Sequence, residues 1–85
     1  MSYRVIMTAT AVKERKRIDS VVRKRIDQAL QSLQSEPRPQ GAKKLSGTRQ
    51  DWRMRVGNYR ILYEIADDQQ LITVWRIAHR RHVYR

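Results

Sequence analysis

Residues 52–65 read WRMRVGNYRILYEI and decide the fold, because two alternating segments flank a tight turn. Gly57-Asn58 is a two-residue Gly-X loop, which predicts a type II′ β-hairpin. With this turn, Arg55 lies directly opposite Arg60 on the neighbouring strand. Because side chains alternate along a strand, the hairpin has one apolar face and one basic face.

The two faces of this hairpin have different predicted roles. The apolar face should pack beneath helices; it consists of Trp52, Met54, Val56, Tyr59, Ile61, Tyr63 and Ile65. The basic face carries Arg53, Arg55 and Arg60, with Glu64 as the carboxylate on the same side. Facing like charges cost about 0.2–1 kcal/mol, so an unbalanced pair favours an anion site over an ordinary solvated sheet face.

The rest of the chain predicts an α+β fold with the order β-α-α-β-β-β. Strands are expected over Tyr3–Met7, Trp52–Val56, Tyr59–Ile65 and Leu71–Ala78, the last being central and covered on both sides. A helical hairpin, or one bent helix, is expected over Ala11–Ile18 and Val22–Leu33, with Thr10 as N-cap and an interruption at Asp19-Ser20. Segments 35–47 and 67–70 read as loops. The sheet should be antiparallel, an N-terminal strand joining a three-stranded meander, with the helices on one face.

Composition limits the possible classes of protein. The 85 residues correspond to a single domain, 1–85, with a small core. The chain lacks cysteine, so disulfides and thiolate metal sites are excluded, and neither a signal peptide nor a membrane-length apolar run is present. A net charge of +11 favours nucleic acid as the partner; an anionic membrane fits less well, because the helices lack bulky aromatic residues. A cytoplasmic location is expected.

The basic face is compatible with metal-free cleavage of RNA. Arginine binds phosphate through two parallel hydrogen bonds and stays charged, and Arg80 can reach this face after the last strand. RNA carries its own nucleophile, so the protein needs only to orient the phosphate, neutralise charge and move protons. Arginine is a poor base, which leaves Tyr84, His79 or His82 for that role. The two histidines lack the further ligands that a metal site requires, and no cofactor motif is present.

The hairpin, the Asp67-Asp68 turn, the apolar strand and the ending AHRRHVY together resemble the RelE/ParE toxin superfamily of bacterial toxin–antitoxin systems. The resemblance covers nearly the whole chain, including the helical hairpin and the KKLSG segment before the hairpin. The ending favours the RelE branch, whose members are mRNA interferases, over the ParE branch, whose members poison DNA gyrase. The resemblance to the RelE branch implies a ribosome-dependent endoribonuclease that cuts mRNA in the A site and is silenced by a cognate antitoxin.

The resemblance also implies roles for individual residues. Arg53 and Arg55 match positions where RelE toxins carry basic catalytic residues, often lysines. Arg60 matches the phosphate-binding arginine, Arg80 the arginine after the last strand, and Tyr84 the C-terminal tyrosine. Arginine in place of lysine moves the expected base to Tyr84 or His82. The further candidates for contacts with RNA or the ribosome are Lys43, Lys44 and Arg81.

Three functions remain open at this point. The first is an mRNA interferase, which requires the arginines and Tyr84 on one face. The second is a ParE-like inhibitor that traps gyrase and cleaves no RNA. The third is a basic nucleic-acid-binding module with salt-sensitive affinity and no toxicity. For either toxin, the positive charge predicts an acidic or amphipathic antitoxin that binds as an extended segment or a helix.

Overall fold

A computed structural model describes residues 2–47 and 50–83 of the chain, without the side chain of Val83. The strands are β1 (Arg4–Met7), β2 (Lys43–Lys44), β3 (Asp51–Val56), β4 (Tyr59–Ala66) and β5 (Leu71–His79). The helices are α1 (Ala9–Lys16), α2 (Ser20–Ser32) and the short α3 (Arg80–Val83), and a 3-10 turn covers Asp67–Gln69. The α+β class and the predicted element order are confirmed, with β2 and α3 as additions.

The five strands form one mixed sheet in the order β1-β5-β4-β3-β2. The antiparallel meander of β3, β4 and β5 is as predicted, but β1 pairs with β5 in parallel. The expectation of a wholly antiparallel sheet was therefore wrong. Strands joined by tight turns must run antiparallel, whereas β1 is separated from its partner by two helices and three strands, so no turn dictates its direction.

Several segments differ from the predicted boundaries, and the ends of α2, β1, β3, β4 and β5 shift by one or two residues. Thr8, rather than Thr10, caps α1, and its hydroxyl accepts a hydrogen bond from the backbone N–H of Ala11 at 3.2 Å. The helix consequently begins and ends about two residues earlier than expected. Lys43–Lys44 forms a short strand inside the segment predicted as a loop, where a two-residue strand offers no periodicity to detect.

The core lies between the helices and one face of the sheet, as predicted. Met54, Val56 and Ile61 of the hairpin are buried there, together with Tyr63 and Ile65. The helices contribute Ala11, Ile18, Ile26, Leu30 and Leu33, while β5 contributes Ile72, Val74 and Ile77. Trp52 and Tyr59 pack against the edge of this core and stay partly exposed.

Strand β5 is an inner strand, as predicted, but it is not covered on both sides along its length. Thr73, Trp75 and Arg76 on its second face are only half-buried. The pairing of β4 with β5 shifts between Leu62 and Tyr63, because Trp75 of β5 has no partner on β4. None of the helices in residues 2–47 and 50–83 has the length and apolar character that crossing a bilayer requires.

Candidate functional site

The β3–β4 hairpin has the predicted register. Arg53 lies opposite Leu62, and Arg55 lies opposite Arg60. Gly57 adopts φ 59° in the turn, while Asn58 keeps an ordinary negative φ, as a type II′ turn requires. The arginines therefore share the face of the sheet that points away from the core.

Arg60 is buried in a way that the sequence pattern does not indicate. The residue is only 6% exposed, and its Nε has no hydrogen-bond partner. Its Nη1 donates to the carbonyl oxygen of its own neighbour Tyr59 at 3.3 Å. Within residues 2–47 and 50–83, no carboxylate pairs with this guanidinium. Glu64, expected to balance the charge, is exposed and forms no ion pair with it.

The electrostatic surroundings of Arg60 are positive. Burial lowers the pKa of its guanidinium, and the charges of Arg55, Arg53 and Arg80 lower it further. A buried cation among like charges is costly unless an anion joins it. This group of four residues, Arg53, Arg55, Arg60 and Arg80, is called the arginine cluster below.

A backbone hydrogen bond connects Arg80 to the turn of the β3–β4 hairpin. Arg80 is the first residue of α3, and its N–H donates to the carbonyl oxygen of Asn58 at 2.8 Å. Asn58 belongs to the hairpin turn, so the start of α3 is tied to the loop between Arg55 and Arg60. Arginines that are distant in sequence thereby surround one another in space.

The remaining predicted site residues lie around the cluster. Lys43 of β2 faces Arg53, which extends the basic face across a third strand, and Lys44 faces Trp52. Lys43 and Arg53 line two neighbouring clefts of about 280 Å³ and 460 Å³. Arg81 and His82 of α3 are exposed. The predicted base Tyr84 lies outside the described residues.

His79 is a site residue whose environment the sequence did not reveal. It is the last residue of β5, and its pKa is lowered by partial burial first and then by Arg81, His82, Arg80 and Arg60. Its Nδ1 accepts a hydrogen bond from the backbone N–H of Arg81 at 3.2 Å. The lowered pKa favours the neutral ring, and in a neutral ring whose Nδ1 accepts this bond the hydrogen is on Nε2.

Glu14 is a second residue that sequence analysis did not select. Its carboxylate accepts hydrogen bonds from Arg76 Nε at 2.6 Å and from the backbone N–H of Ile77 at 2.7 Å. The pairing of β1 with β5 stops at Val74, so the N–H of Ile77 lies beyond the end of β1. Glu14 supplies the acceptor for this N–H in place of a neighbouring strand. The described residues contain no group of His, Asp and Glu side chains that could hold a metal ion.

Comparison with known proteins identifies the class of molecule that this fold and this cluster define. Residues 5–84 match the model of a family described as the ParE toxin of the type II toxin–antitoxin system, parDE. The chain belongs to the RelE/ParE superfamily and is a toxin of the type II toxin–antitoxin kind.

Individual relatives belong to the RelE branch. Toxin RelE3 of Methanocaldococcus jannaschii is 33% identical, in an alignment that covers 95% of this chain and 94% of the relative. The RelE chain in the archaeal RelE–RelB complex from Pyrococcus horikoshii superposes with a TM-score of 0.85 at 26% identity, covering 98% of this chain and all of that one. The RelB–RelE complex from Methanococcus jannaschii gives 0.78 at 30% identity, covering 93% and 94%.

Proposed function

We propose that this toxin is a ribosome-dependent endoribonuclease that cleaves mRNA in the A site and so stops translation. The observation that carries the proposal is the buried guanidinium of Arg60 within the arginine cluster, which no carboxylate of residues 2–47 and 50–83 neutralises and whose Nε has no partner there. Its arrangement costs stability in the free protein, and a phosphate would satisfy its donors and its charge together. The dependence on the ribosome rests on the similarity to RelE toxins.

The chemistry follows from the groups present and from RNA itself. The 2′-hydroxyl attacks the adjacent phosphorus, the bond to the 5′ oxygen breaks, and a 2′,3′-cyclic phosphate and a 5′-hydroxyl result. Arg60 and Arg80 hold the non-bridging oxygens, while Arg53 and Arg55 stabilise the charge that develops in the transition state. The proton of the 2′-hydroxyl passes to a base, and another proton reaches the leaving oxygen.

The base is assigned to His82 or Tyr84. Arginines are poor bases because they hold their protons at any physiological pH. The lone pair of His79 on Nδ1 is already used by the N–H of Arg81, so His79 is available as a donor rather than as a base. His82 lies on α3 two residues after Arg80 and is exposed, so it can approach a phosphate bound at the cluster.

The partners follow from the same proposal. Lys43, Lys44 and Arg81 supply further positive charge for RNA or for the ribosome around the cluster. Related toxins have been solved as RelE–RelB complexes, and we infer a cognate antitoxin of acidic or amphipathic character for this chain. The net charge of +11 favours such a partner. A toxin that acts on translating ribosomes works in the cytoplasm.

The test is a map of new mRNA 5′ ends within minutes of inducing the toxin. Wild type should produce ends inside translated reading frames, in phase with codons. Arg60→Met and Arg80→Ala should abolish both the ends and the growth arrest. Lys24→Met, which removes one positive charge from an exposed position on α2, should leave both unchanged. Growth arrest with intact mRNA in the wild type would exclude the nuclease.

A gyrase inhibitor is the second candidate, because the family model that matches residues 5–84 describes ParE toxins. This function predicts an induced DNA-damage response and intact mRNA. It also predicts that Arg60→Met remains toxic, because trapping gyrase requires no phosphate-cleaving cluster. The same induction experiment therefore separates the two toxins.

A further inference from the structure

The short helix α3 carries Arg80, Arg81 and His82, yet its own sequence gives it little stability. It comprises Arg80–Val83, a single turn, whereas isolated helices shorter than about 12–15 residues are marginal in water. Its first two residues are arginines, and positive charge at a helix N-terminus opposes the helix dipole. The position of α3 therefore depends on bonds to the rest of the fold.

Two backbone N–H groups at the start of α3 are bonded to partners outside the helix. The N–H of Arg80 donates to the carbonyl oxygen of Asn58 at 2.8 Å. The N–H of Arg81 donates to Nδ1 of His79 at 3.2 Å. His79 directly precedes the helix, and a side chain in this position that accepts from the second helical N–H is an N-cap. The imidazole thus takes the place that Ser, Thr, Asp or Asn usually occupies.

The ring of His79 is itself held by the sheet. Tyr59 is the cross-strand partner of His79, and the two rings meet edge to face with their centroids 5.5 Å apart. Tyr59 packs against the core, so it fixes the position of the imidazole. Because side chains alternate along a strand, His79 lies on the core side with Tyr59, and the next residue, Arg80, lies towards the arginine cluster.

Only the neutral ring of His79 can cap α3. Protonation turns both ring nitrogens into donors, so the N–H of Arg81 would lose its acceptor. Partial burial lowers the pKa of His79, and the groups that lower it further are Arg81, His82, Arg80 and Arg60. The capping form of the ring is therefore favoured at neutral pH and is removed by acid.

The remaining charged groups near His79 do not offset this effect. Arg17, the C-cap of α1, and Arg76 of β5 line the same cleft of about 380 Å³ and add positive charge. Glu14 also lines it, but its two oxygens already accept hydrogen bonds from Arg76 and from the N–H of Ile77. None of the groups that shift the pKa of His79 is a carboxylate. An imidazolium in this place would therefore be repelled by the arginines and by the start of α3.

We propose that His79 is a positioning residue, whose neutral ring caps α3 and so holds Arg80 and His82 beside a phosphate bound at the arginine cluster. The proposal rests on the proposed function and extends it, because it assigns His79 a role that needs no contact with RNA. Without the cap, α3 loses one of the two bonds at its start, and Arg80 loses the fixed position that orientation of the phosphate requires.

The cap also makes the position of α3 depend on pH. The pKa of His79 is lower in the folded protein than its ordinary value of about 6.5. The stabilisation by the cap is therefore complete above about pH 6.5 and is lost as the pH falls through the pKa of His79 in the folded protein.

Three variants separate the acceptor of His79 from its ring. Wild type has both, His79→Phe keeps the ring alone, and His79→Asn keeps an acceptor alone, since Asn is among the best N-cap residues. His79→Leu has nearly the shape of the Asn variant but neither feature. Exchange of the Arg81 amide proton with water, measured by NMR at one pH for all four proteins, reports the cap without RNA. Lys24→Met is the control and should exchange as wild type.

Protection of the Arg81 amide should follow the acceptor and not the ring. His79→Phe and His79→Leu should exchange about 2- to 30-fold faster than wild type, which corresponds to the loss of an N-cap. His79→Asn should recover most of that protection, and cleavage of mRNA on ribosomes by the purified toxins should fall in the same order. Equal protection in all four proteins overturns the proposal. So does protection that follows the ring, with His79→Phe like wild type and His79→Asn like His79→Leu.

The pH profile separates the cap from the chemistry. Lowering the pH from about 8 to about 5.5 should reduce the Arg81 protection of wild type relative to His79→Asn, because Asn does not titrate. The rate of cleavage should follow the same ratio, from which His82 cancels because both proteins contain it. A ratio that stays constant with pH contradicts a cap that requires the neutral ring. Protection in the expected order without cleavage by wild type supports the cap and refutes the nuclease. Equal cleavage by all four proteins refutes the positioning role alone.

Discussion

Removing the buried guanidinium of Arg60 should make the protein more stable while it abolishes toxicity. Arg60→Met keeps most of the apolar stem of a residue that is 6% exposed. It eliminates an unpaired buried donor, which costs about 1–3 kcal/mol, and the repulsion from facing Arg55, which costs about 0.2–1 kcal/mol. We expect the free energy of unfolding to rise by about 1–3 kcal/mol, as found when apolar residues replace buried ions.

Urea unfolding followed by tryptophan fluorescence measures the change in the free energy of unfolding. In a thermal unfolding experiment, each 1 kcal/mol should raise Tm by about 4–8 °C. Arg55→Met is the matched control, because Arg55 is exposed and its removal relieves the repulsion alone, at most about 1 kcal/mol. Should Arg60→Met unfold more easily than the wild type, the guanidinium is a structural element and the argument for an anion site fails.

The same variant tests directly for anion binding. A ligand that binds only the folded protein, present at ten times its Kd, stabilises it by about 1.4 kcal/mol. Inorganic pyrophosphate should therefore stabilise the wild type and leave Arg60→Met nearly unchanged. Equal stabilisation of both proteins would place the bound anion elsewhere on the basic surface.

Three other outcomes are expected from unfolding experiments. Thr8→Ala should cost about 0.5–2 kcal/mol as a lost N-cap, whereas Thr10→Ala, inside α1 and exposed, should be nearly neutral; equal losses would contradict the observed cap. Glu14→Ala should cost about 1–3 kcal/mol, because a strand N–H and a half-buried guanidinium lose their acceptor, and Glu14→Gln should cost less. Hydrogen bonds, chiefly from Arg38 and then from Tyr3, lower the pKa of Asp67 in the folded protein. The ionised Asp67 therefore stabilises the fold above about pH 4, and this stabilisation is lost as the pH falls through the pKa of Asp67 in the folded protein. The difference in stability between wild type and Asp67→Asn should accordingly vanish in acid unfolding curves.

The sequence predicted the arrangement of the arginines better than their environment. A two-residue Gly-X loop determines both the turn and the strand register. The position of Arg55 opposite Arg60 could therefore be predicted from local sequence. The burial of Arg60 depends on β5, where its neighbour is the small residue Ala78, and strand alternation says nothing about such tertiary contacts. The parallel pairing of β1 was missed for a related reason, because no local signal connects it to β5.

The lowered pKa of His79 was also beyond the reach of sequence analysis. It depends first on partial burial and then on arginines contributed by other segments. A histidine among arginines is recognisable as a candidate from its sequence neighbours. The surrounding geometry determines which ring nitrogen carries the proton. Because Nδ1 of His79 already accepts a hydrogen bond, His79 is better suited to donate a hydrogen bond than to act as a base.

The hairpin explains how a small domain can hold four like charges together. Arg60 is flanked in sequence by Tyr59 and Ile61, and Ile61 is fully buried in the core on the opposite face of the same strand. Apolar burial on one face thus anchors the backbone that carries the cations on the other, and the bond from Arg80 N–H to Asn58 ties the last member to it. Because the strands cannot separate without opening the core, the backbone positions of Arg55 and Arg60 are fixed. Under the proposed nuclease function, charges held at fixed positions would stabilise the transition state without reorganisation of the backbone.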